Sequence, residues 1–202
     1  AYEIKLVTGV QTCALPISWP KDAWRSAGGA NSWAGLSVDT ARGIVYVPTG
    51  SATPDFYGGD RLGANLFANS LIALDANTGK RLWHFQTVHH DLWDRDLPAA
   101  PNLVSLTRSG RRIDAAAQIT RSGFVFLSDR VSGRPLFEVV ERRFPPSELR
   151  GERAWPTQPI PVKPAPFARQ SVGEADVTDP KRFHALNRGG FFAPPSREGT
   201  IV

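Results

Sequence analysis

The sequence predicts an all-β fold, because three strand–turn–strand patterns follow one another without a convincing amphipathic helix between them. The first, "GLSVDTARGIVYVPTGS", contains a run from Ile44 to Val47 that is rich in β-forming residues and follows the turn "DTARG". The second, "SLIALDANTGKRLWHFQT", places its turn at residues 75–79. The third, "SGFVFLSDRVSGRPLFEV", places its turn at residues 128–133.

The second and third patterns are similar to each other. "ALDANTGKRLW" and "LSDRVSGRPLF" each contain a strand, an Asp, a Gly, a basic residue and then an aromatic residue, so that Gly79 and Gly133 are equivalent positions. Repeats at this spacing are typical of β-propellers, in which each small sheet buries its faces against its neighbours. A β-sandwich built from similar hairpins is the alternative.

Composition favours a globular protein. Of 202 residues, 41% are hydrophobic and 21% are charged, and no apolar run approaches the roughly 18 residues of a membrane-spanning helix. The net charge of +5 arises from scattered basic residues, which argues against a nucleic-acid partner. Cys13, the single cysteine, has no partner for an internal disulfide, so cysteine usage does not reveal the redox compartment.

The first residues do not fit a secretory signal, because polar residues and a glycine interrupt the apolar ones (Thr8, Gly9, Gln11, Thr12). "LVTGVQTCALPIS" instead resembles a translated sequencing adapter. We therefore expect residues 1–17 to be non-native and residues 18–202 to form one partial propeller domain. The final "FFAPPSREGTIV" resembles an interrupted strand, so we expect an internal fragment whose lack of a targeting signal says nothing about location.

Proline dominates the segment after Glu141. In "RRFPPSELRGERAWPTQPIPVKPAPFARQ" the missing proline N–H groups predict a long excursion over the surface. The later "DVTDPKRFHALNRGG" predicts one short helix, with Thr178 or Asp179 as its cap and Pro180 at its first position.

Two motifs resemble the quinoprotein dehydrogenases, which are eight-bladed propellers that use pyrroloquinoline quinone (PQQ). "ALDANTGKRLWHFQT" is similar to the family's repeat, in which the residue matching Trp83 docks one blade on the next, although non-enzymatic propellers also carry it. "VHHDLWDRDLPAAP" is similar to the catalytic segment of PQQ-dependent alcohol and sugar dehydrogenases. "TGSATPDFYGGDR" and "AWPTQPIPVKP" resemble the branch of glucose and quinate dehydrogenases. The resemblance covers residues 19–202.

The resemblance implies three site residues. Asp94 would be the catalytic base, since oxidation of an alcohol by a quinone requires removal of the hydroxyl proton as hydride leaves carbon. Trp33 would form the floor under the PQQ ring, and Arg121 would donate to its oxygens. The resemblance does not assign Asp91 a role as a base. The alternatives are that Asp91, Asp94 and Asp96 cap turns, that the tryptophan belongs to a core, and that the arginine is solvated.

The family also implies calcium or another divalent ion, or a lanthanide, acting as a Lewis acid on oxygen ligands. Asp96 resembles the extra aspartate of lanthanide-using relatives and is our candidate metal neighbour. Ser51 stands where the alcohol-oxidising branch has an Asn ligand, which puts that ligand in doubt. His89 and His90 match the glucose-type branch, and we assign them no catalytic role.

These features predict part of a periplasmic PQQ-dependent dehydrogenase that oxidises a sugar, polyol or alcohol and passes electrons to a quinone or cytochrome. Membrane anchoring would occur only through regions outside this sequence. The alternative is a non-catalytic PQQ-repeat propeller that serves as a scaffold, which would have no reason to keep Trp33, Asp94 and Arg121 together. A third possibility is an inactive polypeptide, because an open arc of blades cannot enclose a cofactor.

Overall fold

The computed structural model describes residues 18–171, so the predictions for residues 1–17 and for the helix near Thr178 lie outside the described residues. This part of the chain contains two short 3₁₀ helices, Ala23–Arg25 and Gly59–Arg61, and none of its helices is long and apolar enough to cross a membrane. Its strands are β1 (Gly28–Gly29), β2 (Ser37–Asp39), β3 (Ile44–Pro48), β4 (Ala52–Thr53), β5 (Ser70–Asp75), β6 (Arg81–Gln86), β7 (Asn102–Arg108), β8 (Arg111–Ile119), β9 (Val125–Asp129), β10 (Val139–Arg143) and β11 (Thr157–Pro161).

The first two predicted hairpins join into one antiparallel sheet with strand order β2-β3-β5-β6. In β3 the residues Ile44, Tyr46 and Pro48 are buried and alternate with half-buried Val45 and Val47, as a strand packed mainly on one face requires. The all-β prediction is confirmed.

The third pattern forms only part of a second sheet, with order β7-β8-β9. After the turn at residues 129–133, pairing is limited to a single bridge between Ser128 and Pro135. The bonds on either side of this bridge run from the Asp129 N–H to the Arg134 carbonyl oxygen and from the Leu136 N–H to the Leu127 carbonyl oxygen. An N–H at position 135 would point away from β9, so the proline costs no bond to that strand.

The two larger sheets share one hydrophobic core. It contains buried side chains from both sheets and from the loop that joins them, and half-buried Leu103 packs against it: Ile44, Tyr46, Leu71, Ala73, Trp83, Leu97 and Ala116. The Trp83 Nε1 and the Tyr46 hydroxyl donate to the Arg130 carbonyl oxygen at 3.0 and 3.1 Å. Trp83 therefore docks the first sheet on the second, as predicted.

The predicted surface excursion after Glu141 is wrong in part, because β10 and β11 pair as an antiparallel hairpin. The Val162 N–H, just after β11, donates to the Glu138 carbonyl oxygen at 2.9 Å, so the N–H groups of every second residue of β11 point toward β10. Pro159 and Pro161 occupy the intervening positions, where an N–H group would point away from β10. This placement makes the prolines compatible with the pairing.

Candidate active site

The four predicted site residues lie on three separate connections that converge in space. Trp33 lies between β1 and β2, Asp94 and Asp96 between β6 and β7, and Arg121 between β8 and β9. The Trp33 side chain is 52% exposed, which contradicts the alternative that it is a plain core residue.

Gly50 lies at the meeting point of Trp33 and Asp96. A Cβ atom on Gly50 would lie 2.6 Å from Asp96 Oδ1 and 3.2 Å from Trp33 Nε1. The first distance is too short for any real side chain, so the absence of one at this position allows both groups to approach. Asp96 Oδ1 also accepts a hydrogen bond of 2.6 Å from the Ser51 N–H.

Arg121 joins the two acids. Its Nη1 donates to Asp94 Oδ2 and, at 2.8 Å, to the Asp94 carbonyl oxygen, and it lies 3.5 Å from Asp96 Oδ2. The Asp94 and Asp96 side chains are 28% and 14% exposed, whereas Arg121 is 42% exposed. One partly exposed guanidinium thus holds two partly buried carboxylates next to an exposed indole.

Burial is the largest influence on the Asp94 carboxyl and raises its pKa. The hydrogen bond from Arg121 opposes this effect, while the negative charges of Asp96 and Asp55 add to it, and the net pKa is raised. A raised pKa makes Asp94 a stronger base than an isolated aspartate, as general-base chemistry requires. Burial and Asp96 likewise raise the pKa of Asp55, a neighbour that sequence reasoning missed because it resembles an ordinary turn residue.

Asp91 behaves differently from the other two acids of its segment. It is 1% exposed, and its carboxylate accepts hydrogen bonds from the N–H groups of Trp93 and Arg95 at 2.9 and 2.6 Å. The turn-capping alternative therefore describes Asp91, whereas Asp94 and Asp96 pair with Arg121.

Ser51 hydrogen-bonds to both Asp91 and Asp96. Its hydroxyl donates to Asp91 Oδ2, and its N–H donates to Asp96. Ser51 thus links two acids of the same segment.

The two histidines have partners away from Asp94. His90 is buried, and its Nδ1 lies 2.9 Å from Asn65 Oδ1. Burial and the nearby Arg61 guanidinium lower the pKa of His90 to about 4. His89 contacts the side chains of Gln86 and Glu141 at 2.7 and 3.1 Å.

Trp33 and Arg121 offer two features that a flat anionic cofactor requires. A half-exposed indole beside a partly exposed guanidinium offers a stacking surface and a cationic donor. Within residues 18–171, no group of three or more His, Cys, Asp or Glu side chains is placed to hold a metal ion.

A family model described as "PQQ: Glucose/ethanol/alcohol dehydrogenase, beta-propeller domain" matches residues 12–202. The chain belongs to this family. The chain is 37% identical over 189 residues to quinoprotein glucose dehydrogenase A of Acinetobacter calcoaceticus, covering 85% of the chain and 23% of the relative. It is 39% identical over 158 residues to the quinate/shikimate dehydrogenase (quinone) of Acinetobacter baylyi, covering 77% of the chain and 20% of the relative.

Solved structures show the same fold. The chain superposes on a quinohemoprotein alcohol dehydrogenase from Pseudomonas putida HK5 with a TM-score of 0.57 and 26% identity, over 71% of the chain and 21% of that structure. A europium-containing methanol dehydrogenase gives a TM-score of 0.55 and 25% identity, over 72% of the chain and 25% of that structure. The chain spans less than a quarter of the length of each of the two curated relatives named above.

Proposed function

We propose that this chain is a segment of a PQQ-dependent dehydrogenase that oxidises a sugar, polyol or alcohol. One observation carries the proposal: Arg121 holds Asp94 and Asp96 together beside the exposed Trp33. Two relatives are a glucose dehydrogenase and a quinate/shikimate dehydrogenase, which favours a polyhydroxylated substrate. A scaffold would need only the docking residues and would have no use for this cluster.

Each residue has a distinct task in this proposal. PQQ, when bound, supplies the acceptor for the hydride that leaves the carbinol carbon. Trp33 offers the flat surface on which the ring system rests. Asp94 accepts the proton of the substrate hydroxyl at its carboxylate, and burial raises its pKa toward that task.

Arg121 has two tasks. Its guanidinium holds Asp94 in place, and its partly exposed N–H groups are available to oxygens of the cofactor, where a fixed cation favours developing negative charge. Because the same guanidinium also pairs with Asp96, it limits the repulsion between the two acids.

The remaining assignments are finer proposals. We propose Asp96 as a neighbour of a calcium or lanthanide ion, although the described residues alone do not form a metal site and no step is assigned to such an ion. We also propose a periplasmic location and a quinone or cytochrome acceptor; the name of the quinate/shikimate dehydrogenase (quinone) supports the quinone.

The decisive experiment replaces Asp94 by Asn in the complete enzyme that carries this segment. Asparagine keeps the size of the side chain and removes the basic carboxylate, so PQQ binding should persist while kcat falls by about 10² to 10⁴. The control is Asp129→Asn, because the Asp129 carboxylate accepts only turn N–H groups and a turn hydroxyl, from Val131 and Ser132. Near-normal kcat in PQQ-loaded Asp94→Asn enzyme would contradict the proposal.

A further inference from the structure

We infer that Asp91 is a positioning residue that fixes where the Asp94 carboxylate points, acting through the main chain of residues 91–95 and through Ser51. This inference rests on the proposed function of Asp94 as the base. Asp91 has no direct contact with a reacting atom in this role, so its effect is exerted through other groups.

The Asp91 carboxylate is enclosed by donors. Besides the N–H groups of Trp93 and Arg95, it accepts from Asn69 Nδ2 at 2.8 Å and from the Ser51 hydroxyl. These four donors are neutral groups, and the side chain is almost completely inaccessible to water. A buried acceptor with this number of partners has one orientation only.

The first path from Asp91 runs along the main chain. The two N–H groups that donate to Asp91 belong to residues on either side of Asp94. Asp94 itself has a φ of +57°, in the left-handed region that residues with a side chain rarely adopt. The bonds on both sides thus hold Asp94 in an unfavourable conformation, and this conformation directs its carboxylate to Arg121.

The second path runs through Ser51. Its hydroxyl donates to Asp91 while its N–H donates to Asp96, so a single residue links the buried acid to the second acid of the site. Asn69 supports this link, because its Nδ2 also contacts the Ser51 Oγ at 3.1 Å and the Arg95 carbonyl oxygen at 3.0 Å.

The main chain of Asp91 is fixed independently. The Arg61 side chain is completely buried and donates from Nη2 to the carbonyl oxygens of Asp91 and, at 2.9 Å, of Pro54. Its Nη1 donates to Asn65 Oδ1 at 2.8 Å. Asp91 is therefore held at both its backbone and its carboxylate, as a residue that positions others should be.

An amide cannot replace this carboxylate. In Asp91→Asn one carboxylate oxygen becomes an NH₂ group, which would face groups that themselves donate. The 91–95 segment must then move, and a displacement of about 1 Å at a reacting group costs on the order of 100-fold in rate.

The test compares Asp91→Asn and Ser51→Ala with Asp129→Asn in the complete, PQQ-loaded enzyme. We expect kcat per bound PQQ to fall about 100-fold in Asp91→Asn and about 10-fold in Ser51→Ala, with KM and the PQQ Kd changed less than about threefold. The deuterium isotope effect for substrate labelled at the carbinol carbon should rise, because hydride transfer becomes more rate-limiting. Asp129→Asn should leave all of these values unchanged.

A structural readout accompanies the kinetics. A crystal structure of the cofactor-free Asp91→Asn enzyme should show the Asp94 carboxylate moved away from Arg121. If this variant does not load with PQQ, Ser51→Ala, which removes one hydroxyl, decides the question.

Unchanged kcat per bound PQQ with an unchanged isotope effect in Ser51→Ala and in any loaded Asp91→Asn enzyme would overturn the inference and leave Asp91 a purely structural residue. A wild-type enzyme without any PQQ-dependent turnover would overturn the proposed function as well.

Discussion

The indole ring of Trp83 lies directly against the backbone of Gly133, so that a Cβ atom on Gly133 would lie 2.5 Å from Cδ2 of the ring. Trp83 lies on β6, the last strand of the first sheet, and Gly133 ends the turn after β9 in the second sheet. The docking tryptophan and the equivalent glycine of the next repeat are thus in contact, which explains why both belong to the repeat.

Gly133→Ala should destabilise the protein more than Gly79→Ala does. The two glycines have φ values of +70° and +68°, but Gly79 has no atom within 4 Å of the position of a Cβ. Gly79→Ala should therefore cost only the left-handed conformation, about 1 to 2 kcal/mol, and Gly133→Ala about 1 to 3 kcal/mol more for the clash with Trp83. Denaturant unfolding of both variants measures the difference. Equal losses would show that Trp83 moves aside without cost.

His90 should make the protein less stable in mild acid. Burial and Arg61 lower its folded-state pKa from 6.5 to about 4, so between these pH values the unfolded chain binds a proton that the folded chain does not. This contribution to stability is complete above pH 6.5 and declines by up to about 3 kcal/mol as the pH falls to 4.

His90→Gln should remove most of this pH dependence, measured as the free energy of unfolding at several pH values. His84→Gln is the control. Burial first and then Arg81 lower the pKa of His84 to about 4 as well, but His84 lies exposed on β6, where water stabilises the protonated ring, so we expect a smaller effect. A larger effect from His84 than from His90 would contradict this assignment.

Arg121→Gln should shift the pH dependence of turnover in the complete enzyme. The variant loses the hydrogen bond that lowers the pKa of Asp94, while burial and the charges of Asp96 and Asp55 still raise it. The base is then protonated at higher pH, so the acid limb of the kcat profile should move upward, as steady-state assays across pH would show. Arg134→Gln, in an exposed turn, is the control and should not shift the limb.

The 202-residue chain alone should bind PQQ weakly. The described residues give Trp33 as one stacking face and leave it half exposed, so a ring system there would retain much contact with water. Titration with PQQ, monitored by tryptophan fluorescence, measures the affinity, and Trp33→Ala tests whether the signal comes from the site. Tight, metal-dependent binding by residues 18–202 would refute the interpretation of the chain as a fragment.

Local patterns account for the parts of the fold that were predicted from the sequence. The hairpin around Asp75 and the turn that begins at Asp129 were predictable because alternation and turn residues lie within a few positions of each other. The β10–β11 hairpin was not, because its prolines argue against pairing unless their phase relative to β10 is known.

The same distinction applies to the site. The resemblance named Trp33, Asp94, Asp96 and Arg121, and the structure brings them together. The resemblance gave no indication of the environment of Asp91. Two of the four donors to the Asp91 carboxylate, on Ser51 and Asn69, lie 40 and 22 residues away in the sequence. Such a network becomes visible only when the loops are folded.

The docking bonds from Tyr46 and Trp83 end on the carbonyl oxygen of Arg130, a group that every amino acid possesses. Neither bond therefore depends on which side chain occupies position 130, and both depend only on the path of the backbone there. The Arg130 side chain has partners of its own, because its Nη1 pairs with Asp39 Oδ2 at 3.2 Å and its Nε and Nη2 donate to the carbonyl oxygens of Ala115 and Val104. A substitution at this position would therefore keep the acceptor of both docking bonds and remove an ion pair that ties β2 to the second sheet.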